Sequence, residues 1–216
     1  MSSHDNLEKI GFSKNTIVES IVSTFDNSRK PHAAPMGVHR YDERHILLKP
    51  FKTSQTYSNL SKWKSGVVNI TSDPIIFYLS TFKNANPLGH IMDEWFENAE
   101  SVDAPKISTA DAFLEFNSSE INSEYDEATF LCEIMKLDIS KKIIPQAYCR
   151  AAPAVIESLI HATRVEVYLK SGETEKAEEL IKLINHHAEV IEKVAPNKYS
   201  LIIHDIQRRI DEWRII

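Results

Sequence analysis

Strand-like runs of apolar residues broken by polar positions early in the chain give way to a helical period toward its end. Residues 16–25 (TIVESIVSTF) are β-branched and aromatic, with Ile17, Ile21 and Phe25 broken by polar positions, a pattern that predicts a strand. The cluster DNSRKP (26–31) carries turn chemistry, HAAPMGVHR (32–40) resumes as a strand, YDER (41–44) turns again and HILLKPF (45–51) returns. The expectation is an antiparallel meander of three strands. Beyond Phe51 the period changes. In SQTYSNLSKWK (54–64), Tyr57, Leu60 and Trp63 or Lys64 recur about one helical turn apart behind Ser54, an N-cap residue. Gly66 and a short buried strand, VVNI (67–70), follow, and Asp73 with Pro74 opens a second short helix reaching about Phe82. Residues 84–110 read as irregular around Pro87, Gly89 and Pro105, with one or two helical turns in IMDEWF (91–96). Strands return at 111–117 and 127–138, and IIPQAYC (143–149) is a further candidate.

From Pro153 the pattern is helical. Ala152, Ile156, Leu159, Ile160, Thr163 and Val167 share one face. Ala177, Leu180, Ile181, Ile184, Ala188 and Ile191 share a second, and Tyr199, Ile202, Ile203, Ile206, Ile210 and Trp213 make a third stripe. Gly172 and Pro196 separate the three helices. The fold class expected is α+β, with a β domain over 1–150 and a helical C-terminal region over 151–216.

Composition narrows the function. The 216 residues are 42% hydrophobic and 26% charged, ordinary for a globular chain able to bury a core without staples. A net charge of −6 argues against nucleic acid or an anionic membrane surface as partner, since both need a basic footprint. The polar start MSSHDNLEKIG has no signal-peptide pattern, and no apolar run approaches the ~20 residues of a membrane span, so a soluble, cytoplasmic protein is expected. Cys132 and Cys149 are too few for a disulfide scaffold or a Cys-rich zinc site, and reduced thiols are the default. The glycines, Gly11, Gly37, Gly66, Gly89 and Gly172, never cluster in one loop, which excludes a dinucleotide fingerprint and a Walker loop. A phosphate site must be built another way.

The junction PFKTSQTYSNL (50–60) offers one. Lys52, Thr53, Ser54, Thr56 and Tyr57 gather around a helix start, where unpaired amides and the dipole favour an anion. Taken alone, these hydroxyls read more readily as helix caps and Lys52 as a solvated charge. The segment HAAPMGV (32–38) is a strand with two small alanines, a proline and a glycine, which marks an edge, a bulge or a close backbone approach, such as to a flat ring. The nine histidines include no HExxH spacing, so no metal site is expected. Glu157, His161 and Arg164 run along one helix face, either as a salt-linked surface or overhanging a pocket. No catalytic residue can be assigned, because nothing marks a nucleophile elbow.

In order along the chain stand Ser23-Thr24, Ala34-Pro35, Thr56-x-x-Asn59 and Val68-Asn69. This succession resembles the FMN-binding split-barrel flavoproteins of flavin reductase-like type, and most of all an uncharacterised, largely archaeal family with a helical C-terminal region. AVIESLIHATR (154–164) is a secondary match. The resemblance implies an antiparallel split β-barrel with a C-terminal three-helix appendage, and FMN at a homodimer interface. It makes Lys52, Ser54, Thr56 and Tyr57 candidates for the phosphate and ribityl chain, and places Ser23 and Thr24 toward the cofactor. Ala34, Met36 and Gly37 would flank the ring, and Asn69 or Thr71 would reach the pocket edge. Gly37 after Met36 departs from the Ser or Thr with aromatics of typical flavin reductases. The function implied is hydride or electron transfer with a nicotinamide or another electron donor. The alternatives are a non-catalytic FMN-binding or sensing module, and a deazaflavin-binding protein on the same barrel.

Overall fold

Strand β1 (Ile17–Phe25) runs antiparallel to β2 (Pro31–Arg40), and β2 to β3 (His45–Leu48), which is the expected meander. The computed structural model describes residues 7–13, 17–83, 87–89, 91, 93–124, 126–140 and 149–215. The chain falls into two compact units, one of Met1–Thr71 with Met92–Ile144, the other of Ser72–Ile91 with Pro145–Ile216.

In the first unit, α1 (Gln55–Trp63) leads into β4 (Ser65–Ile70). After β5 (Phe96–Asn98) and β6 (Pro105–Ile107) come β7 (Ala112–Glu124) and β8 (Glu127–Ile139), each 13 residues long. Six strands close into an antiparallel barrel in the order β1-β2-β3-β8-β7-β4. Closure is made by β1 against β4, with Ile21 opposite Asn69. Register shifts between Glu115 and Phe116 and between Glu120 and Asn122 let the long strands bend as a closed sheet requires. Strand β7 runs past its expected end at 117, because backbone pairing with β8 carries the polar stretch SSEINSE on to Glu124. Alternate side chains such as Val22, Val38, Leu48, Val68, Leu114 and Phe130 fill the interior, and Leu60 of α1 joins them. Gly66 is obligatory there, since a Cβ would stand 2.6 Å from the ring of Phe116 and 3.1 Å from the Ser23 carbonyl.

The helical turn expected at 91–96 is present as one 3-10 turn, and part of the stretch after it, expected to be irregular, is a docked hairpin. A single 3-10 turn, Asp93–Trp95, precedes β5, which pairs with β6 through Phe96 opposite Ile107. Strands of three residues carry no readable period, and this hairpin is held by side chains of the barrel. Ser65 Oγ donates to the Asp103 carbonyl at 2.8 Å, and Arg29 forms a double hydrogen bond with the Asp103 carboxylate at 2.6 and 2.8 Å. The buried Glu115 carboxylate accepts from the amides of Glu100 (3.0 Å) and Ser101 (2.5 Å).

The second unit is helical. In α2 (Pro74–Thr81), Asp73 caps the start by accepting from the Ile75 amide at 2.9 Å. Then come α3 (Ala151–Lys170), α4 (Thr174–Val194) and α5 (Pro196–Trp213). The stripes expected on α4 and α5 are its buried faces, with Leu180 and Trp213 at their margins. On α3 the buried face is different: Ala151, Ala154, Val155, Ser158, Leu159, Ala162 and Val165 face inward, while Val167 is 60% exposed. Small residues allow close helix approach, and a periodicity weighted by bulky aliphatics points about one residue away from them. Asp205 is buried and accepts from Tyr78 Oη (2.8 Å), Arg209 Nε (2.7 Å) and Arg208 Nη2 (2.6 Å). Burial opposes its charge, but these donors hold its carboxyl below the ordinary value. Most of the candidate strand 143–149 lies outside the described residues, and Cys149 belongs to no strand. Among the described residues, no helix is long and apolar enough to cross a membrane.

Candidate functional site

The start of α1 is built by backbone before any side chain acts. The Lys52 amide donates to the Asp126 carbonyl at 2.8 Å and the Ala128 amide to the Pro50 carbonyl at 3.1 Å, which ties the junction to the β7–β8 turn. The Ser54 amide then bonds back to the Phe51 carbonyl at 2.9 Å, making a tight turn. Ser54 is extended (φ −81°, ψ 150°) and its Oγ accepts from the Tyr57 amide at 3.1 Å, as an N-cap does. The Ser58 amide returns to the Ser54 carbonyl at 3.3 Å. Among the described residues, the amides of Gln55 and Thr56 have no acceptor. Beside them stand half-buried Lys52, whose ammonium has no ion-pair partner among the described residues, and the exposed Thr53.

Two of the four α1 candidates turn toward the barrel. Thr56 is buried, and the Tyr57 ring meets Phe130 edge-on with centroids 6.0 Å apart. Lys52 and Ser54 are half-buried at the helix start.

Ser23 and Thr24 are consecutive on a strand and therefore face opposite ways. Ser23 Oγ donates to the Pro105 carbonyl at 2.6 Å and accepts from Asn69 Nδ2 at 2.8 Å. The Asn69 amide group also donates to the Ile21 carbonyl at 3.0 Å, and its Oδ1 accepts from the Ile107 amide at 2.7 Å. Both side chains are fully buried, and this set stitches β1, β4 and β6 together. Thr24 Oγ1 accepts from Asn59 Nδ2 at 2.9 Å, and Asn59 Oδ1 accepts from Gln55 Nε2 at 2.7 Å. Thr24 is thus linked to the first turn of α1, whereas Ser23 and Asn69 are linked to the hairpin.

On β2, Ala34 and Met36 alternate with Gly37, opposite Val22, Ser20 and Glu19 respectively. Met36 packs on the barrel interior. A Cβ on Gly37 would stand 2.9 Å from Ile17 Cγ2, so a neighbouring strand already calls for glycine there. Thr71 lies half-buried just beyond β4. Glu157, His161 and Arg164 belong to α3, in the other unit. Sequence reading missed Gln55 and Asn59 as the braces of the helix start, although Asn59 stood in the Thr-x-x-Asn motif. It also missed Glu115, for which an acid inside a hydrophobic strand was the available signal. Among the described residues, no group of three or more His, Cys, Asp or Glu side chains could hold a metal ion.

Lys52, Thr53 and Ser54 directly precede the two unpaired amides along the chain, and an ammonium, hydroxyls and amides are the donor types that a phosphate monoester takes. Comparison with known proteins gives that chemistry a context. An FMN-bound protein from Methanosarcina mazei, assigned to DUF447, is 26% identical and superposes with a TM-score of 0.74 over 93% of this chain and 99% of its own. The 2-nitrobenzoate 2-nitroreductase of Pseudomonas fluorescens (16% identity, TM-score 0.48) matches 67% of this chain and 75% of its own. Flavoredoxin of Desulfovibrio vulgaris (18%, TM-score 0.45) matches 63% and 79%. Residues 18–141 match the family described as "Protein of unknown function (DUF447) N-terminal domain", and residues 149–208 match "Protein of unknown function (DUF447)". With both parts matched in order, the chain belongs to the DUF447 family.

Proposed function

We propose that this chain is an FMN-binding flavoprotein of flavin reductase-like type, working in hydride or electron transfer. The observation that carries the reading is the FMN-bound DUF447 relative, alike at 26% identity over 93% of this chain. The donor set at the start of α1 supports it. Lys52, Ser54 and the Gln55 and Thr56 amides would hold the phosphate, with the buried Thr56 side chain and the Tyr57 ring backing that corner from the barrel side. Lys52 supplies the positive charge that a dianionic phosphate needs near neutral pH. Ser23, Thr24, Asn69 and Thr71 then serve chiefly by fixing the walls, and Ala34, Met36 and Gly37 would flank the flat ring through their backbone. A homodimer with the cofactor at the subunit boundary belongs to the same reading. When bound, FMN supplies the electron-carrying chemistry, and the chain's own task is to bind, orient and shield it.

The first test is the absorption spectrum of the purified protein. A yellow chromophore released as FMN on denaturation is the expected result; a deazaflavin, or no chromophore after incubation with excess FMN, would overturn the reading. Bleaching by NADH or NADPH at catalytic rates supports oxidoreductase activity, whereas reduction by dithionite alone points to a non-catalytic module. Lys52→Ala should weaken FMN retention about tenfold or more, from loss of a charge-assisted hydrogen bond. Equilibrium dialysis that finds undiminished affinity removes the phosphate assignment.

A further inference from the structure

Two imidazoles lie face to face in the helical unit. The rings of His161 on α3 and His187 on α4 are 5.9 Å apart between centroids and inclined by only 11°. Both are half-buried. Ser158 Oγ donates its one proton to the Ala154 carbonyl at 2.8 Å, so towards His187 Nδ1, 3.3 Å away, it can only accept. That places a proton on Nδ1 of neutral His187 and leaves Nε2 to take up any second one. On His161 the Nδ1 atom is buried with no hydrogen-bond partner. An imidazolium carries a proton on both ring nitrogens, so charging His161 encloses an unsatisfied N–H donor in the helix seam. Charging both rings adds like-charge repulsion across the stack.

We propose that the His161–His187 stack is an acid-sensitive latch between α3 and α4, shut while both rings are neutral and loosened as they take up protons. The charged and titratable groups that act on it are Glu157 and Arg164 from α3 and His186 from α4. Glu157 favours the protonated rings, whereas Arg164 and His186 oppose them. From α5, no titratable group acts on either ring among the described residues. Burial holds both rings below the ordinary value of 6.5, and for His187 the neighbouring His161 adds to the effect. The sign follows from linkage. As pH falls, the unfolded chain binds protons at these positions before the folded chain does. The stabilisation is therefore complete well above pH 6.5 and declines as pH drops through that value toward the lower folded-state values.

The test uses the full chain. Imidazole ring-proton NMR should show two histidines titrating below pH 6.5, and His161→Gln should raise the midpoint of His187 by about half a unit or more as the like charge is removed. The thermal midpoint of the wild type should fall on acidification from about pH 7.5 to about pH 5.5, and the double variant His161→Gln/His187→Gln should lose at least about half of that fall. Independent titration of both rings at or above 6.5 overturns the latch, as does an equal acid-induced fall in the double variant. Where the double variant does not fold, the wild-type and single-variant titrations decide.

Discussion

Asn69 uses both ends of its amide. Its Nδ2 donates to Ser23 Oγ at 2.8 Å and to the Ile21 carbonyl at 3.0 Å, while Oδ1 accepts from the Ile107 amide at 2.7 Å. Asn69→Ala removes these partners and strands a buried N–H, so denaturant unfolding should show a loss of about 2–3 kcal/mol. A loss under about 0.5 kcal/mol would mean that water replaces the side chain. The Val-Asn strand was legible from residue types alone, but its use was not. The resemblance to split-barrel flavoproteins made Ser23, Thr24 and Asn69 candidates for facing the cofactor. The structure engages each of them with another part of the chain, through partners as far as 82 residues away, a separation that no local pattern records.

At the scale of elements, caps were the most readable features and packing faces the least. Ser54 and Asp73 begin α1 and α2 where expected, because a cap is a local contact within three residues. Ser54→Ala should cost about 1 kcal/mol and Ser54→Gly only a few tenths, measured by thermal unfolding of the cofactor-free protein. Equal losses would show that Ser54 acts otherwise than as a cap. The hairpin of β5 and β6 left no periodic signature; its fixing point is Glu115, whose carboxylate holds the Glu100 and Ser101 amides. Glu115→Ala should speed hydrogen exchange at those two amides about tenfold or more, with barrel amides such as Val68 much less affected. Uniform acceleration throughout would mean that Glu115 supports the entire barrel instead. The inward face of α3 was hidden for a different reason: Ala151, Ala154, Ser158 and Ala162 contribute little to a hydrophobic pattern, although they line the seam.

For the whole molecule, the order of elements was largely readable, since a meander, a capped helix and a closing strand follow one another in sequence. Closure itself was not. It depends on Gly66, which admits Phe116 beside the Ser23 carbonyl, and on bends in two long strands, of which β7 has a distal half that looks like loop. Gly66→Ala forces either the ring or the β1 backbone aside, and should lower stability by about 1–3 kcal/mol, read as a shifted unfolding midpoint.

The corner that begins α1 is moored to Asp126 and Ala128, more than seventy residues downstream of Lys52 and Pro50. Under the FMN reading, the segment with the most recognisable motifs cannot grip its ligand when it first leaves the ribosome. The grip takes shape only once the β7–β8 turn has been synthesised and docked. Acquisition of colour would then report a completed barrel, and a nascent chain truncated before Asp126 would stay pale even though the motifs from Ser23-Thr24 to Val68-Asn69 were already present.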